Sequence, residues 1–230
     1  VTAVLPGGSF TNIGGQPRNL IARLGVADGL ATAWNANMTG SVVRDVRVYF
    51  SIVYVGGQFT IGTGGAAPTN LPALTFSGGV ATGWTPNPDG PVHSIVVSKE
   101  GVIYVGGSFF NIGGVLRRHL AAIDLVTGVA FPWNPSPNSY VYALYVEGPI
   151  VYAGGIFGAI GGQPRTRLAA LNADGTGTAT GWNPNANDVV YALVAKSIHH
   201  GVPLDQKGAF DLVGWQLLWV LVLWLGGRNL

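Results

Sequence analysis

Four tryptophans recur at nearly constant spacing and are the first candidates for a binding site. They are separated by 50, 49 and 49 residues, and an asparagine follows each within three positions. The pairs are Trp34 with Asn35, Trp84 with Asn87, Trp133 with Asn134, and Trp182 with Asn183. One interpretation is a lectin-like site in every repeat, with the indole as a platform for a sugar ring and the amide as a hydrogen-bonding group. The other is packing between repeats, because tryptophan buries a large apolar area and dominates protein cores.

Other polar side chains suggest no reaction. The sequence has no cysteine and none of the motifs that mark serine hydrolases, zinc proteases or phosphate-binding loops. His93 and His119 do not recur as histidine in the other repeats. His199 and His200 with Asp205 could ligate a metal, but adjacent residues of a strand point to opposite faces. We therefore expect no enzyme activity, no catalytic residues, no metal site and no cofactor.

A set of charged residues also follows the repeat. Three arginines share one position, and three aspartates lie in a nearby turn: Arg18, Arg117 and Arg165, with Asp28, Asp124 and Asp174. The second repeat has neither the arginine nor the aspartate at these positions. This joint absence suggests an arginine–aspartate pair, or an arginine stacked on an aromatic ring.

The elements that position these residues belong to an internal repeat of about 49 residues. Its most regular feature is a glycine pair, which starts at Gly7, Gly56, Gly106 and Gly154. Each copy predicts four short strands separated by turns. In the third copy these strands run over Val92 to Ser98, Val102 to Phe110, Leu120 to Leu125, and Val129 to Trp133. Four short strands per repeat are typical of a β-propeller blade, and no segment has the apolar period of a helix.

The repeats cover residues 1–196, and residues 197–230 form a divergent apolar tail. The chain begins inside a second strand (Val1 to Phe10) without an initiator methionine, and Val189 to Ala195 predicts an opening strand. Three arrangements are open: the two ends close a four-bladed ring, the tail builds a partial fifth blade, or an edge pairs with another chain. The apolar run of 14 residues from Leu212 to Leu225 is too short to span a membrane as a helix. Interface residues are predicted in the tail at Trp215, Trp219 and Trp224.

The low content of charged residues narrows the kinds of partner that we expect. Charged residues make up 10% of the chain, against roughly 25% in ordinary soluble domains, and the net charge is +2. Without a dense basic face we expect no nucleic-acid binding. A surface this poor in charge tends to associate, which predicts a homo-oligomer or binding to other surface proteins.

The stretch Ile103-Tyr104-Val105-Gly106-Gly107-Ser108-Phe109 and its counterparts resemble the delta-sixty-repeat, or domain-of-unknown-function, β-propeller family of secreted bacterial proteins. The resemblance covers about residues 1–196. It implies an all-β propeller of four-stranded antiparallel blades, an extracellular or cell-surface location, and no reaction. We therefore predict a non-enzymatic structural or interaction module that assembles through its edge strands and apolar tail. The alternatives are a glycan-binding propeller and, with less support, a propeller hydrolase.

Overall fold

A computed structural model describes residues 3–62, 69–198 and 217–221. Within these ranges all regular secondary structure is β-strand, as predicted. The strands are β1 (Ala3–Val4), β2 (Asn12–Ile13), β3 (Gln16–Pro17), β4 (Leu24–Gly25), β5 (Met38–Tyr49), β6 (Ile52–Ile61), β7 (Ala73–Thr75), β8 (Val92–Val97), β9 (Val102–Gly107), β10 (Asn111–Ile112), β11 (Val115–Leu116), β12 (Leu120–Asp124), β13 (Val141–Glu147), β14 (Ile150–Gly155), β15 (Ala159–Ile160), β16 (Gln163–Pro164), β17 (Leu168–Asn172), β18 (Val194–Ile198) and β19 (Leu217–Leu221).

Three successive repeats each form an antiparallel sheet of three strands. The orders are β5-β6-β7 in the second repeat, β8-β9-β12 in the third and β13-β14-β17 in the fourth. The predicted fourth strand is reduced to a single bridge, between Leu74 and Ala81 in the second repeat and between Ile123 and Ala130 in the third. The segment after each bridge turns a tryptophan inward and then reaches a proline, which has no N–H for a ladder. The prediction of four-stranded blades is therefore confirmed only for the first three strands.

The first repeat has no opening strand. Its β1 pairs with β4, and a single bridge joins Gly7 to Ile21. In the first, third and fourth repeats a two-residue glycine turn closes a small hairpin, such as β10-β11. Gly113 and Gly114 of that turn have φ of 61° and 82°, the left-handed conformation that glycine adopts without strain.

The prediction of an opening strand from Val189 to Ala195 is wrong in its bounds, because the strand there runs from Val194 to Ile198. Residues 189–193 are not in a ladder, and the strand that follows, β18, pairs antiparallel with β19 from the apolar tail. The apolar run thus supplies a strand partner for the end of the last repeat. Within the described ranges, the ladder partner of β1 is β4, and no ladder joins the two ends into a ring.

The glycine pairs explain how successive repeats approach each other. The first glycine leaves room for a valine of the next repeat: a Cβ at Gly56, Gly106 or Gly154 would lie 2.6, 2.7 or 2.5 Å from Cγ1 of Val92, Val141 or Val190. The second glycine leaves room for a backbone carbonyl of its own opening strand, as Gly107 does for Pro91. In the second, third and fourth repeats, the glycine pair therefore fixes one contact with the segment that follows the repeat and one within the repeat.

The apolar core lies between the repeats. Three buried clusters each combine side chains of two consecutive repeats, so no sheet has a core of its own. One cluster joins Tyr54 and Trp84 of the second repeat to Ile95 and Ile103 of the third. This is the arrangement expected of stacked repeats, where each unit buries its apolar face against a neighbour.

Candidate functional site

Three of the four in-phase tryptophans are part of the core between repeats. Trp34, Trp84 and Trp133 are 3%, 6% and 2% exposed. Each indole Nε1–H donates a hydrogen bond to a carbonyl oxygen at the third strand of the next repeat; the acceptors are Thr75 at 3.2 Å, Asp124 at 3.0 Å and Asn172 at 2.8 Å, respectively. These contacts favour the packing interpretation for three of the four tryptophans.

Trp182 is the exception, because no repeat of the same kind follows it in the described ranges. It is 37% exposed, although its ring still meets Tyr152 edge-on at 5.4 Å, as Trp133 meets Tyr104 at 5.0 Å. Among the described residues, no acceptor lies within hydrogen-bonding distance of its indole N–H. Part of the indole surface that the other three tryptophans bury is therefore exposed in Trp182.

The other half of this contact is uncovered at the opposite end of the repeats. The residue directly after each acceptor carbonyl packs on the cluster that contains the preceding tryptophan; these residues are Phe76, Leu125 and Ala173. Val26 occupies the same position in the first repeat and is 57% exposed. Trp182 and Val26 are thus the two separated halves of a contact that is made three times inside the chain.

The asparagines next to the tryptophans have turn roles in two of the repeats. The Asn35 side chain accepts a hydrogen bond from the Asn37 amide at 3.0 Å, and Asn87 has a φ of 44°. Asparagine tolerates this left-handed conformation better than most residues. Asn134 and Asn183 are exposed, and neither makes a side-chain hydrogen bond to a described residue. The tail tryptophans Trp215 and Trp224 lie outside the described residues, and Trp219 lies in β19.

The predicted arginine–aspartate pairing is wrong. The in-phase arginines instead donate to the carbonyl oxygen two residues before each tryptophan, as Arg18 does to Thr32 and Arg165 to Thr180, both at 2.6 Å. The aspartates hold their own turns: the Asp124 carboxylate accepts a hydrogen bond from the Thr127 amide at 2.6 Å. A guanidinium has five donors and can hold an irregular segment by its backbone, so a carboxylate partner is unnecessary.

A cavity of about 520 Å³ lies where the second, third and fourth repeats and the segment after the fourth contribute equivalent positions. Its walls include four residues spaced by 49: Arg44, His93 and Tyr142 from the opening strands of three repeats, and Tyr191 from the segment after the last one. Pro91, Ser108 and Tyr140 complete the lining. The four positions are equivalent, but the side chains differ in chemistry. The backbone positions of the site therefore follow the repeat, whereas its side chains do not.

Bulges in β5, β8 and β13 position three of these side chains. The ladder skips one residue between Val92 and Ser94 in β8, and likewise at Arg44 in β5 and Tyr142 in β13. A bulge bends the strand and redirects a side chain, so His93 faces the cavity while Val92 remains buried against Gly56.

In β5 and β8 the residue just after the bulge makes a polar contact with the next repeat. The Ser94 hydroxyl accepts a hydrogen bond from the Leu144 amide of the next repeat at 3.2 Å. One repeat earlier, the Asp45 carboxylate accepts one from the Ile95 amide at 2.8 Å. The strand segments that carry Arg44 and His93 are therefore each held by a hydrogen bond to the next repeat.

The cavity carries one positive charge at neutral pH. Burial, and then the nearby Arg44 guanidinium, lower the pKa of His93 to about 4, so the imidazole is neutral. Burial, with Tyr191 and Tyr140 nearby, raises the pKa of Tyr142 despite the opposing effect of Arg44. No carboxylate is among the lining residues, and Asp45 is engaged by Arg47 at 3.0 Å. Arg44 therefore sets the charge of the cavity.

Sequence reasoning missed this site because it treated His93 as a residue outside the repeat. The signal was position rather than residue type. Each cavity residue directly follows a valine that packs on a glycine pair, namely Val43, Val92, Val141 or Val190. Aligning the copies on those valines would have placed the four side chains together.

A family model agrees with the β-propeller prediction. Residues 4–29 and 150–177 match a family model described as domain of unknown function (DUF5122) beta-propeller. The predicted resemblance to a β-propeller family of unknown function is confirmed. The two matched segments lie in the first and fourth repeats and span β1 to β4 and β14 to β17.

One similar solved structure is the crystal structure of the computationally designed Ika8 protein, in its crystal packing No. 1 in P63. The identity is 12% and the TM-score is 0.43; the match covers 84% of this chain and 66% of that protein's length. No curated protein matches the chain.

The described residues contain no group of three or more histidine, cysteine or acidic side chains arranged to hold a metal ion. They also contain no helix long and apolar enough to cross a membrane.

Proposed function

We propose that this β-propeller protein is a non-enzymatic interaction module of the cell surface or the extracellular space, and that it assembles head to tail with a second copy. The proposal rests on one observation: the two halves of the contact between repeats, Trp182 and Val26, are exposed at opposite ends. The low content of charged residues and the family resemblance support the surface setting.

The expected interface reuses a contact that the chain already makes. In a second copy, the Trp182 indole would pack on Val26 and donate its N–H to the carbonyl of Gly25, as Trp84 does with Leu125 and Asp124. Such an interface is heterologous, because different surfaces meet. Burying the exposed 37% of Trp182 contributes about 2 kcal/mol of transfer free energy before the cost of association is subtracted.

Sedimentation velocity over a wide concentration range tests this proposal. We expect the native chain to associate as its concentration rises, and Trp182→Gln or Val26→Asp to remove the association. Val129→Asp is the matched control, because Val129 is also 57% exposed but lies elsewhere in its repeat. A native chain that stays monomeric, or equal loss of association in the control, contradicts the proposal.

A glycan-binding role at the last repeat is the second candidate, because Trp182 and Asn183 are adjacent and both exposed. A glycan array distinguishes the two. Binding that Trp182→Gln removes, from a chain that remains monomeric, would favour the glycan.

A further inference from the structure

We propose that the cavity bounded by Arg44, His93, Tyr142 and Tyr191 binds a small organic carboxylate that carries an aromatic ring. The cavity volume of about 520 Å³ lies within the range of small-molecule sites, roughly 300–1,000 Å³. Neither Trp182 nor Val26 lines this cavity, so the proposal does not depend on the proposed assembly.

The carboxylate would bind Arg44. Within the described ranges the Arg44 guanidinium makes no hydrogen bond, whereas Arg18, Arg117 and Arg165 each donate to backbone carbonyls. The neighbouring Asp45 is committed to Arg47 and to the Ile95 amide. Arg44 therefore keeps its donors free at the edge of an aromatic cavity, where a carboxylate can accept two parallel hydrogen bonds.

The ring would extend a row of aromatic side chains. Tyr142 and Tyr191 are stacked with centroids 5.4 Å apart and ring planes 22° apart, and His93 meets Tyr142 edge-on at 5.0 Å. Tyr191 is 62% exposed, so its outer face is open to a further ring. Offset stacking of this kind is favourable beyond the apolar area that it buries.

The electrostatics favour an anion over a neutral or cationic ligand. His93 is uncharged at neutral pH because its pKa is about 4, and the pKa of Tyr142 is raised, so the hydroxyl keeps its proton. With no carboxylate in the lining, a cationic ligand has no counter-charge in the cavity. The tyrosine and Ser108 hydroxyls and the imidazole remain available for a polar substituent on the ring.

Isothermal titration of the full chain with para-hydroxybenzoate tests the proposal, and para-hydroxybenzamide provides a neutral ligand of the same shape. We expect the benzoate to bind at least about tenfold more tightly, since a charge-assisted hydrogen bond is roughly twice as strong as a neutral one. Arg44→Gln should remove this preference, and Tyr191→Ala should weaken both ligands.

Arg118→Gln is the matched control, because Arg118 is also exposed and makes no side-chain hydrogen bond to a described residue, yet does not line the cavity. It should leave the preference for the benzoate intact. Failure of the benzoate to bind, equal affinity for the two ligands, or equal loss of preference in the two arginine variants overturns the proposal. Because Arg44 and Tyr191 are exposed, far-ultraviolet circular dichroism of both variants should match that of the native chain.

Discussion

Replacing Gly106 with alanine should destabilise the protein by forcing two repeats apart. The added Cβ would lie 2.7 Å from Cγ1 and 3.3 Å from Cβ of Val141, and 3.4 Å from Cδ1 of Leu144. Overpacking of this kind costs about 1–3 kcal/mol. Replacing glycine with alanine also stabilises the folded state by about 0.4–1 kcal/mol, because it reduces the conformational entropy of the unfolded chain. We expect a net loss of about 1–2 kcal/mol in the free energy of unfolding, measured by urea titration.

Gly83→Ala provides the control in the same chain. No atom lies within 4 Å of a Cβ at Gly83, and its φ is outside the left-handed region. Only the unfolded-state effect remains, so this variant should be unchanged or more stable by up to about 1 kcal/mol.

A double-mutant cycle with Val141→Ala isolates the contact. That variant alone should lose about 1–2 kcal/mol, since two buried methyl groups are removed. In the Gly106→Ala background the loss should be smaller by about 1 kcal/mol, because the missing Cγ1 relieves the closest contact. Additivity of the two changes within about 0.3–0.5 kcal/mol would refute the role given to the glycine pair.

The remaining predictions concern the tryptophans and His93. Trp84→Phe and Trp133→Phe should each lower the free energy of unfolding by about 1–3 kcal/mol, because a buried carbonyl oxygen loses its hydrogen-bond donor. Trp182→Phe should cost less than about 0.5 kcal/mol, because Trp182 is exposed. Equal losses for the three variants in urea titrations would contradict the packing role. Proton NMR should give His93 a pKa near 4. Since this pKa lies below the unfolded value of about 6.5, stability is full above about pH 6.5 and falls towards pH 4, by less than about 3 kcal/mol because the cavity is open to water. His93→Gln should flatten that decline, and an unchanged pH profile would show that another group causes it.

Recurrence is what made most of the fold predictable from the sequence. The third repeat was predicted to have strands over Val92 to Ser98 and Leu120 to Leu125, and the structure has Val92–Val97 and Leu120–Asp124. Glycine and proline in fixed positions define such boundaries. The fourth strand was predicted wrongly because its apolar residues serve the contact with the next repeat and leave only one bridge, at Ala130.

The candidate site was harder to predict because its chemistry changes from repeat to repeat. Arg44, His93 and Tyr142 have no residue type in common, and a bulge shifts each of them out of simple strand alternation. The different environment of Trp182 was also invisible in the sequence, since it depends on what lies beside the last repeat and not on the residue itself.

The most direct test of the proposed head-to-tail assembly is sedimentation velocity on a mixture of the Val26→Asp and Trp182→Gln variants. The first variant keeps the Trp182 end and the second keeps the Val26 end, so one intact contact remains available between them. The proposal predicts that each variant alone is monomeric and that the equimolar mixture forms a dimer. A mixture that stays monomeric when the native chain associates, or a dimer of either variant alone, would contradict it.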